Sequence, residues 1–196
     1  MTRILMILVP LILKATSSMA STESIPIDTR KSRITWTGRK LTGAHSGTVA
    51  ISKGTLCLKN GIPHGGSITI DMNSIKNIDI ENTEWRRKLE NHLKSDSFFD
   101  VEKYPIAQME LNQITDHGSR KGKYRITGNL MMKGVTHPVE FDASLKDFVF
   151  TASLRIDRSK WNIRHNSARF FDVATLGDQL ILDDIELEVT VYLDVK

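Results

Sequence analysis

The residues best suited to covalent chemistry are one glycine-flanked segment and six scattered histidines. The segment Gly43 to Gly47 reads GAHSG and carries the flanking glycines of a G-x-S-x-G nucleophile elbow. Its serine stands fourth rather than third, however, and a strand pattern rather than a helix pattern follows it. The histidines at 45, 64, 92, 117, 137 and 165 fall at neither H-E-x-x-H nor H-x-H spacing. We therefore expect no catalytic residue and no local zinc site, and only a metal assembled from distant strands stays open.

Two further residues have a chemical and a structural interpretation. Lys133 lies between Gly128 and Gly134, but the order G-K-[ST] is absent, so a structural turn explains these glycines better than a phosphate-binding loop. His45 has the same strand parity as Val49, which places it on the apolar side of a regular strand. An inward histidine is either a core residue bonded to a neighbouring carbonyl or a ligand contact, and both interpretations stay open.

The first twenty residues resemble an export signal. An apolar run extends from Ile4 to Leu13, about half the ~20 residues that a membrane-spanning helix needs. Small residues at Ser18 and Ala20 stand at the −3 and −1 positions of a cleavage site. The sequence thus predicts a signal peptide at 1–20, a mature domain at 21–196, and no stable transmembrane insertion.

The number of cysteines and the distribution of charge limit the possible cellular compartments and binding partners. Cys57 is the single cysteine, so an internal disulfide and lipidation of the mature N-terminus are excluded, and its leucine neighbours predict a buried thiol. An exported protein without a disulfide fits a bacterial periplasm. The chain has 27 basic and 23 acidic residues spread along its length, which gives no electrostatic footprint for nucleic acid.

These residues must be positioned by a mostly β structure. Apolar and polar residues alternate with period two through about eight segments separated by glycine-containing turns. Each segment has one polar face that can contact water, and this favours antiparallel pairing because parallel strands are usually covered on both faces. Two packed sheets and a closed up-and-down barrel both satisfy the pattern, and periodicity alone does not choose between them.

One stretch has helical spacing instead. Trp85, Leu89 and Leu93 recur on one helical face, so the sequence predicts a helix near Asn82 to Lys94, with Asn82 as its N-cap. The stretch from Ser95 to Pro105 has no clear period and is expected to form a packed lid or loop.

The order of several motifs resembles the YceI-like family of polyisoprenoid-binding proteins. The resemblance covers nearly the whole mature chain. The motifs are Trp36 to Gly38, Gly43 to Gly47, Gly66 to Met72, Leu89 to Ser95, Phe98 to Pro105, Gly128 to Pro138, Ile156 to Trp161 and Leu176 to Asp178. Met131, Met132 and Asn166 depart from the residues common in the family. The resemblance implies an all-β fold, an antiparallel eight-stranded extended lipocalin-like barrel with one α-helix, and an apolar tunnel for a polyprenyl chain such as the tail of an isoprenoid quinone.

The expected function is non-enzymatic binding, storage or transport of an isoprenoid lipid in the periplasm, without a cofactor. The residues expected to bind the apolar tail are Trp36, Ile70, Tyr124, Phe141, Phe150 and Val189. The residues expected to hold a polar head are His45, His92 and Arg158. A structural or stress-related envelope protein with a filled barrel, and an enzyme acting on a bound lipid, are the alternatives. Transient membrane contact and a homodimer stay open.

Overall fold

Alternating apolar and polar residues form nine β-strands in the part of the chain that the computed structural model describes, residues 22–116 and 122–195. The predicted signal peptide lies outside the described residues. The strands are β1 (Thr22–Pro26), β2 (Arg33–Lys40), β3 (Gly43–Lys59), β4 (Ile62–Asn77), β5 (Ile106–Asp116), β6 (Lys123–Met132), β7 (Val135–Lys146), β8 (Val149–Asp157) and β9 (Ile181–Tyr192). The helices are α1 (Thr83–Lys94) and α2 (Val173–Leu176), with 3₁₀ turns at Arg158–Trp161 and Gly177–Gln179.

The strands from β2 to β9 close into an eight-stranded antiparallel barrel. Each pairs with the next in sequence, and β9 returns to pair with β2, as in the register Trp36↔Leu187. The long strand β3 pairs with β2 through its first half and with β1 through its second half. The predicted barrel is confirmed, and closure leaves few exposed edges.

The interior is packed with side chains at one end only. Strand β6 begins and strand β9 finishes at this side of the barrel, which we call the filled end. Ile126 there is 0% exposed, and only about 10 Å³ of space remains between Leu56, Phe150 and their neighbours. The other buried side chains at the filled end are Ile25, Ile27, Leu58, Tyr124, Val191 and Leu193. Space for a ligand is therefore confined to the opposite end.

Helix α1 lies at that opposite end, which we call the helix end. The Asn82 side chain accepts hydrogen bonds from the backbone N–H groups of Glu84 and Trp85, both at 3.0 Å, so the predicted cap and helix start are confirmed. Leu93 is buried, but Trp85 is 62% exposed and lies beside the Lys88 ammonium. Placing Trp85 on the buried face was therefore wrong, because the helix meets the barrel only along its second half.

The segment 95–105 between α1 and β5 forms the packed lid that the sequence predicts. Phe98 and Val101 are buried, and backbone bonds join the segment to the end of α1, including Phe99 N–H to Leu93 O at 3.1 Å. The turn between β6 and β7 fastens it further, since Lys133 Nζ donates to the Phe98 carbonyl at 2.7 Å. Lys133 thus has the structural role expected of it.

Gly134 in that same turn has φ of +73°, a conformation that favours glycine. A Cβ at this position would lie 2.8 Å from the Tyr104 ring, so a larger residue would displace the lid.

The thiol of Cys57 is half-buried rather than buried. Leu56 and Leu58 point into the barrel, and the two-residue period of β3 therefore turns Cys57 outward. Expecting burial from its leucine neighbours was wrong for this reason.

Candidate binding cavity

An apolar cavity lies in the helix end of the barrel, beneath α1 and the lid. The volume of this cavity is about 140 Å³. All eight barrel strands contribute to its wall, together with Leu93 of α1 and Phe98 and Phe99 of the lid. Within the part of the chain described here, Arg158 is its one charged lining residue.

Three small residues line the cavity. Gly38, Ala107 and Ala152 belong to β2, β5 and β8, respectively. Because each comes from a different strand, the bore depends on barrel closure and not on any local motif. The lining is otherwise aliphatic, aromatic or methionine, so a bound molecule meets almost no polar surface.

The structure brings six of the nine sequence-predicted binding residues to the cavity wall. These are Trp36, Ile70, Phe141, Phe150, Arg158 and Val189. The wall does not include His45, His92 or Tyr124. Each of these three lies elsewhere for its own reason.

His45 lies at the start of β3, where its side chain is 41% exposed. Its Nδ1 forms a 2.8 Å hydrogen bond with Asp79 Oδ2, and Asp79 Oδ1 accepts a second bond from the Ser46 backbone N–H at 2.9 Å. Burial alone would raise the pKa of Asp79, but these bonds and one from Asn77 together lower it. His45 is therefore bonded locally to the Asp79 carboxylate in a partly exposed position, and not to a carbonyl in the core as one of the two interpretations expected.

His92 lies in the last turn of α1 and packs against other rings. Its ring centroid is 4.5 Å from that of His165 and 5.9 Å from that of Phe98. Burial lowers the pKa of His92, and burial followed by the charges of His92 and Arg158 lowers the pKa of His165. This pair closes the contact between α1 and the segment after β8, behind the cavity wall.

Tyr124 begins β6 and therefore belongs to the filled end. Its side chain is buried there, and burial together with the charge of Asp116 raises the pKa of its phenol. Tyr124 faces inward, as its strand parity predicts. Parity does not predict how far along the barrel axis a residue lies.

Arg158 lines the cavity with a guanidinium that is already engaged. It is 0% exposed and donates to the carbonyls of Leu182, Ile163 and Ile181 at 3.2, 2.9 and 3.0 Å. Its Nη2 also lies 3.2 Å from Asp183 Oδ1. Burial lowers its pKa, against the opposing effect of Asp183 and Asp157. These contacts hold the segment between β8 and β9 rather than a ligand head.

Sequence reasoning did not assign cavity roles to the lid. Phe98 and Phe99 line the cavity, as do Met109 and Met132 from neighbouring strands. Phe98 and Phe99 stand next to each other in a stretch without strand or helix period. Such a pair could have predicted contact with the barrel interior, since aromatic side chains outside regular elements usually pack onto a core. The methionines carried no such signal.

Across residues 22–116 and 122–195, no three His, Cys, Asp or Glu side chains come close enough together to hold a metal ion. In the same residues, no helix combines the length and the apolar character needed to cross a membrane.

Comparison with known proteins identifies a domain over most of the chain. The model of the YceI-like domain matches residues 26–193. A UPF0312 protein of Pectobacterium atrosepticum is 32% identical over 92 residues, which cover 47% of this chain and 44% of that relative. A UPF0312 protein of Photorhabdus laumondii is 39% identical over 56 residues, 29% of this chain and 28% of that relative. These matches thus span less than half of each relative.

Solved structures share the fold. BcnA of Burkholderia cenocepacia superposes with a TM-score of 0.60 at 18% identity, over 84% of this chain and 98% of that one. A polyisoprenoid binding domain from Saccharophagus degradans, implicated in plant cell wall breakdown, gives 0.58 at 14% identity, over 91% of this chain and 100% of that one. At these identities the likeness concerns the fold alone.

Proposed function

The chain belongs to the YceI-like family, and we propose from this and from its cavity that it binds an isoprenoid lipid without chemically altering it, as a periplasmic carrier or store. The observation that carries the proposal is the apolar cavity, in which Arg158, the one charged group that lines it in residues 22–116 and 122–195, already bonds to three backbone carbonyls. Such a wall favours a slender hydrocarbon chain. The polyisoprenoid binding domain of Saccharophagus degradans, which has the same fold, adds support for this ligand class.

Burial of apolar area supplies the affinity. Each 100 Å² of apolar surface removed from water stabilises the complex by about 2.5 kcal/mol before the costs of association. A tail that buries a few hundred Å² therefore needs no reactive residue to be retained.

The size of the cavity limits how much tail enters without movement. A cavity of about 150 Å³ admits a molecule the size of benzene, and the space here is about 140 Å³. One isoprene unit thus fits the structure as it stands. A longer tail extends beyond this space. The lid is bonded to the turn after β6 through Lys133, to the end of α1, and to β4 through the Pro105 carbonyl, which accepts from the Met72 N–H at 2.9 Å.

The half-filled interior also favours a second candidate, a structural envelope protein that needs no ligand. Side chains already occupy the filled end, where only about 10 Å³ is left. Measuring whether lipid accompanies the protein separates the two candidates.

The test is native mass spectrometry of protein purified without detergent, alongside two variants of neighbouring residues on β8. Ala152 faces the cavity and Ser153 faces outward. Ala152→Leu should abolish a lipid adduct that the unmodified protein and Ser153→Leu both retain. Protein that carries no lipid, and takes up none from isoprenoid-containing vesicles, would contradict the proposal and leave the filled-barrel candidate.

A further inference from the structure

The three tryptophans differ in what their indole N–H groups bond to. The Trp161 ring is buried, and its Nε1 donates to the Leu130 carbonyl at 3.0 Å. Trp85 is exposed, so water can accept from its N–H. Trp36 lines the cavity, and its Nε1 is enclosed with no hydrogen-bond partner among the described residues. A buried donor left unpaired loses its hydration without compensation, so this N–H is costly in the empty protein.

One other buried side-chain atom in the described part of the chain also lacks a hydrogen bond, Asp183 Oδ1. It lies 3.2 Å from the Arg158 guanidinium, so its charge is compensated. Trp36 Nε1 has no comparable neighbour, and of the two residues only Trp36 lines the cavity.

The position of this N–H is built by the strand opposite. Trp36 pairs in register with Gly47 on β3. A Cβ added at Gly47 would lie 2.0 Å from the Lys76 carbonyl oxygen, 2.3 Å from Trp36 Cζ2 and 2.5 Å from Cε2, the atom bonded to Nε1, yet Nε1 forms no hydrogen bond with that carbonyl. Gly47 thus provides the space in which the ring and its N–H are held. A wall that is otherwise apolar therefore carries one fixed donor.

We propose that Trp36 Nε1 donates a hydrogen bond to a neutral oxygen of the bound lipid and so selects oxygenated isoprenoids over hydrocarbons. This rests on the proposed function, since it describes the same cavity. A carbonyl oxygen, as in a quinone ring, satisfies the N–H without adding charge. A phosphate head does not fit, because the described residues of the cavity wall include one cation, Arg158, which already bonds to the carbonyls of Ile163, Ile181 and Leu182.

The experiment compares two probes on three proteins. The probes are a short-chain isoprenoid quinone and squalene, an isoprenoid hydrocarbon, with binding measured by calorimetry. The proteins are the unmodified chain, Trp36→Phe, which keeps an aromatic ring but removes the N–H, and Trp161→Phe, which removes a paired N–H elsewhere. Trp36→Phe should weaken quinone binding about 5- to 10-fold, the value of one hydrogen bond, and change squalene binding less than about 2-fold. Trp161→Phe should lower the denaturation midpoint and leave the ratio of the two affinities unchanged.

A second measurement does not depend on a variant folding well. In ¹⁵N-labelled protein, the quinone should shift the indole N–H resonance of Trp36 downfield and leave that of Trp161 in place, while squalene should shift neither in this way. An unmoved Trp36 resonance, or equal losses of quinone and squalene binding in Trp36→Phe, would overturn the inference and leave the proposed function standing. If neither probe binds the unmodified protein, the proposed function and this inference both fail.

Discussion

Replacement of Phe141 by alanine tests whether the helix end of the barrel holds a ligand. Phe141 on β7 is 7% exposed and lines the cavity, and its register partner Ile126 on β6 is 0% exposed and does not. The two side chains are cross-strand neighbours, yet only one of them adjoins open space. They therefore form a matched pair.

The expected losses differ in size in lipid-free protein. Truncation of a phenylalanine in a tight core costs about 3–5 kcal/mol, because a new cavity adds to the lost transfer free energy. Beside a cavity of about 140 Å³, Phe141→Ala should cost chiefly the transfer part, about 1.5–3 kcal/mol. Ile126→Ala should show the full core penalty for its type, about 2–5 kcal/mol.

Ligand-induced stabilisation should separate the variants more clearly. At a free lipid concentration 100 times the dissociation constant, binding raises the free energy of unfolding by about 2.7 kcal/mol. If the contact with Phe141 contributes tenfold to affinity, this gain falls to about 1.4 kcal/mol in Phe141→Ala. In Ile126→Ala the gain should stay near its original value.

The assay is chemical denaturation of lipid-free and lipid-saturated protein for both variants and for Asp142→Ala. Asp142 is exposed and pairs with Arg125, so its removal should change the free energy of unfolding by no more than about 1 kcal/mol. Equal ligand-induced gains in Phe141→Ala and Ile126→Ala would refute the assignment of the cavity as the binding site. A loss in Asp142→Ala as large as in Phe141→Ala would refute the assignment of strand faces.

Four other outcomes are expected. N-terminal sequencing of the protein from the cell envelope should find Ser21, and finding Met1 there would contradict the predicted cleavage. Burial lowers the pKa values of His92 and His165 below the ordinary 6.5, so the unfolded chain takes up protons first as the pH falls. The free energy of unfolding should therefore fall as the pH drops below about 6.5. In urea denaturation, a variant with glutamine at both positions should show a weaker pH dependence, and an equal dependence would exclude these histidines as its origin. Arg158→Met should lose about 3 kcal/mol or more in thermal and urea denaturation, since it removes the buried donor from three carbonyls and one ion pair from the half-buried Asp183 carboxylate, and a loss under 1 kcal/mol would contradict that. A thiol reagent should label half-buried Cys57 in native protein, more slowly than in denaturant, and complete protection would show that the outward face of β3 is covered.

Local pattern predicted most strands, the helix α1 and the inward faces of the strands, but not the exposure of Trp85 or Cys57. The two-residue period predicted that Phe141 and Val189 face inward, as they do. Asn82, a capping residue just before residues of helical spacing, predicted the start of α1. These features depend on neighbours within a few residues along the chain. Backbone geometry then decides the outcome, because a strand alternates its faces and a helix leaves its first N–H groups to be capped.

Closure of the barrel decided which inward residues meet a cavity. Tyr124 and Phe141 have the same inward orientation, but one lies in the filled end and the other beside open space. Their depth along the barrel axis depends on the register of all eight strands. The small lining residues Gly38, Ala107 and Ala152 are far apart in sequence and converge only after closure.

Polar groups depended most on tertiary structure. His45 meets Asp79 across 34 positions of sequence, and Arg158 reaches carbonyls more than 20 positions away. Trp36 Nε1 lacks an acceptor among the described residues although its ring is close to Gly47. Strand parity predicted the inward orientation of Trp36 and His45, but no pattern predicted that Arg158 is buried. Whether a polar atom finds a partner depends on atoms that only the closed barrel brings within about 3 Å, the distance at which a hydrogen bond forms.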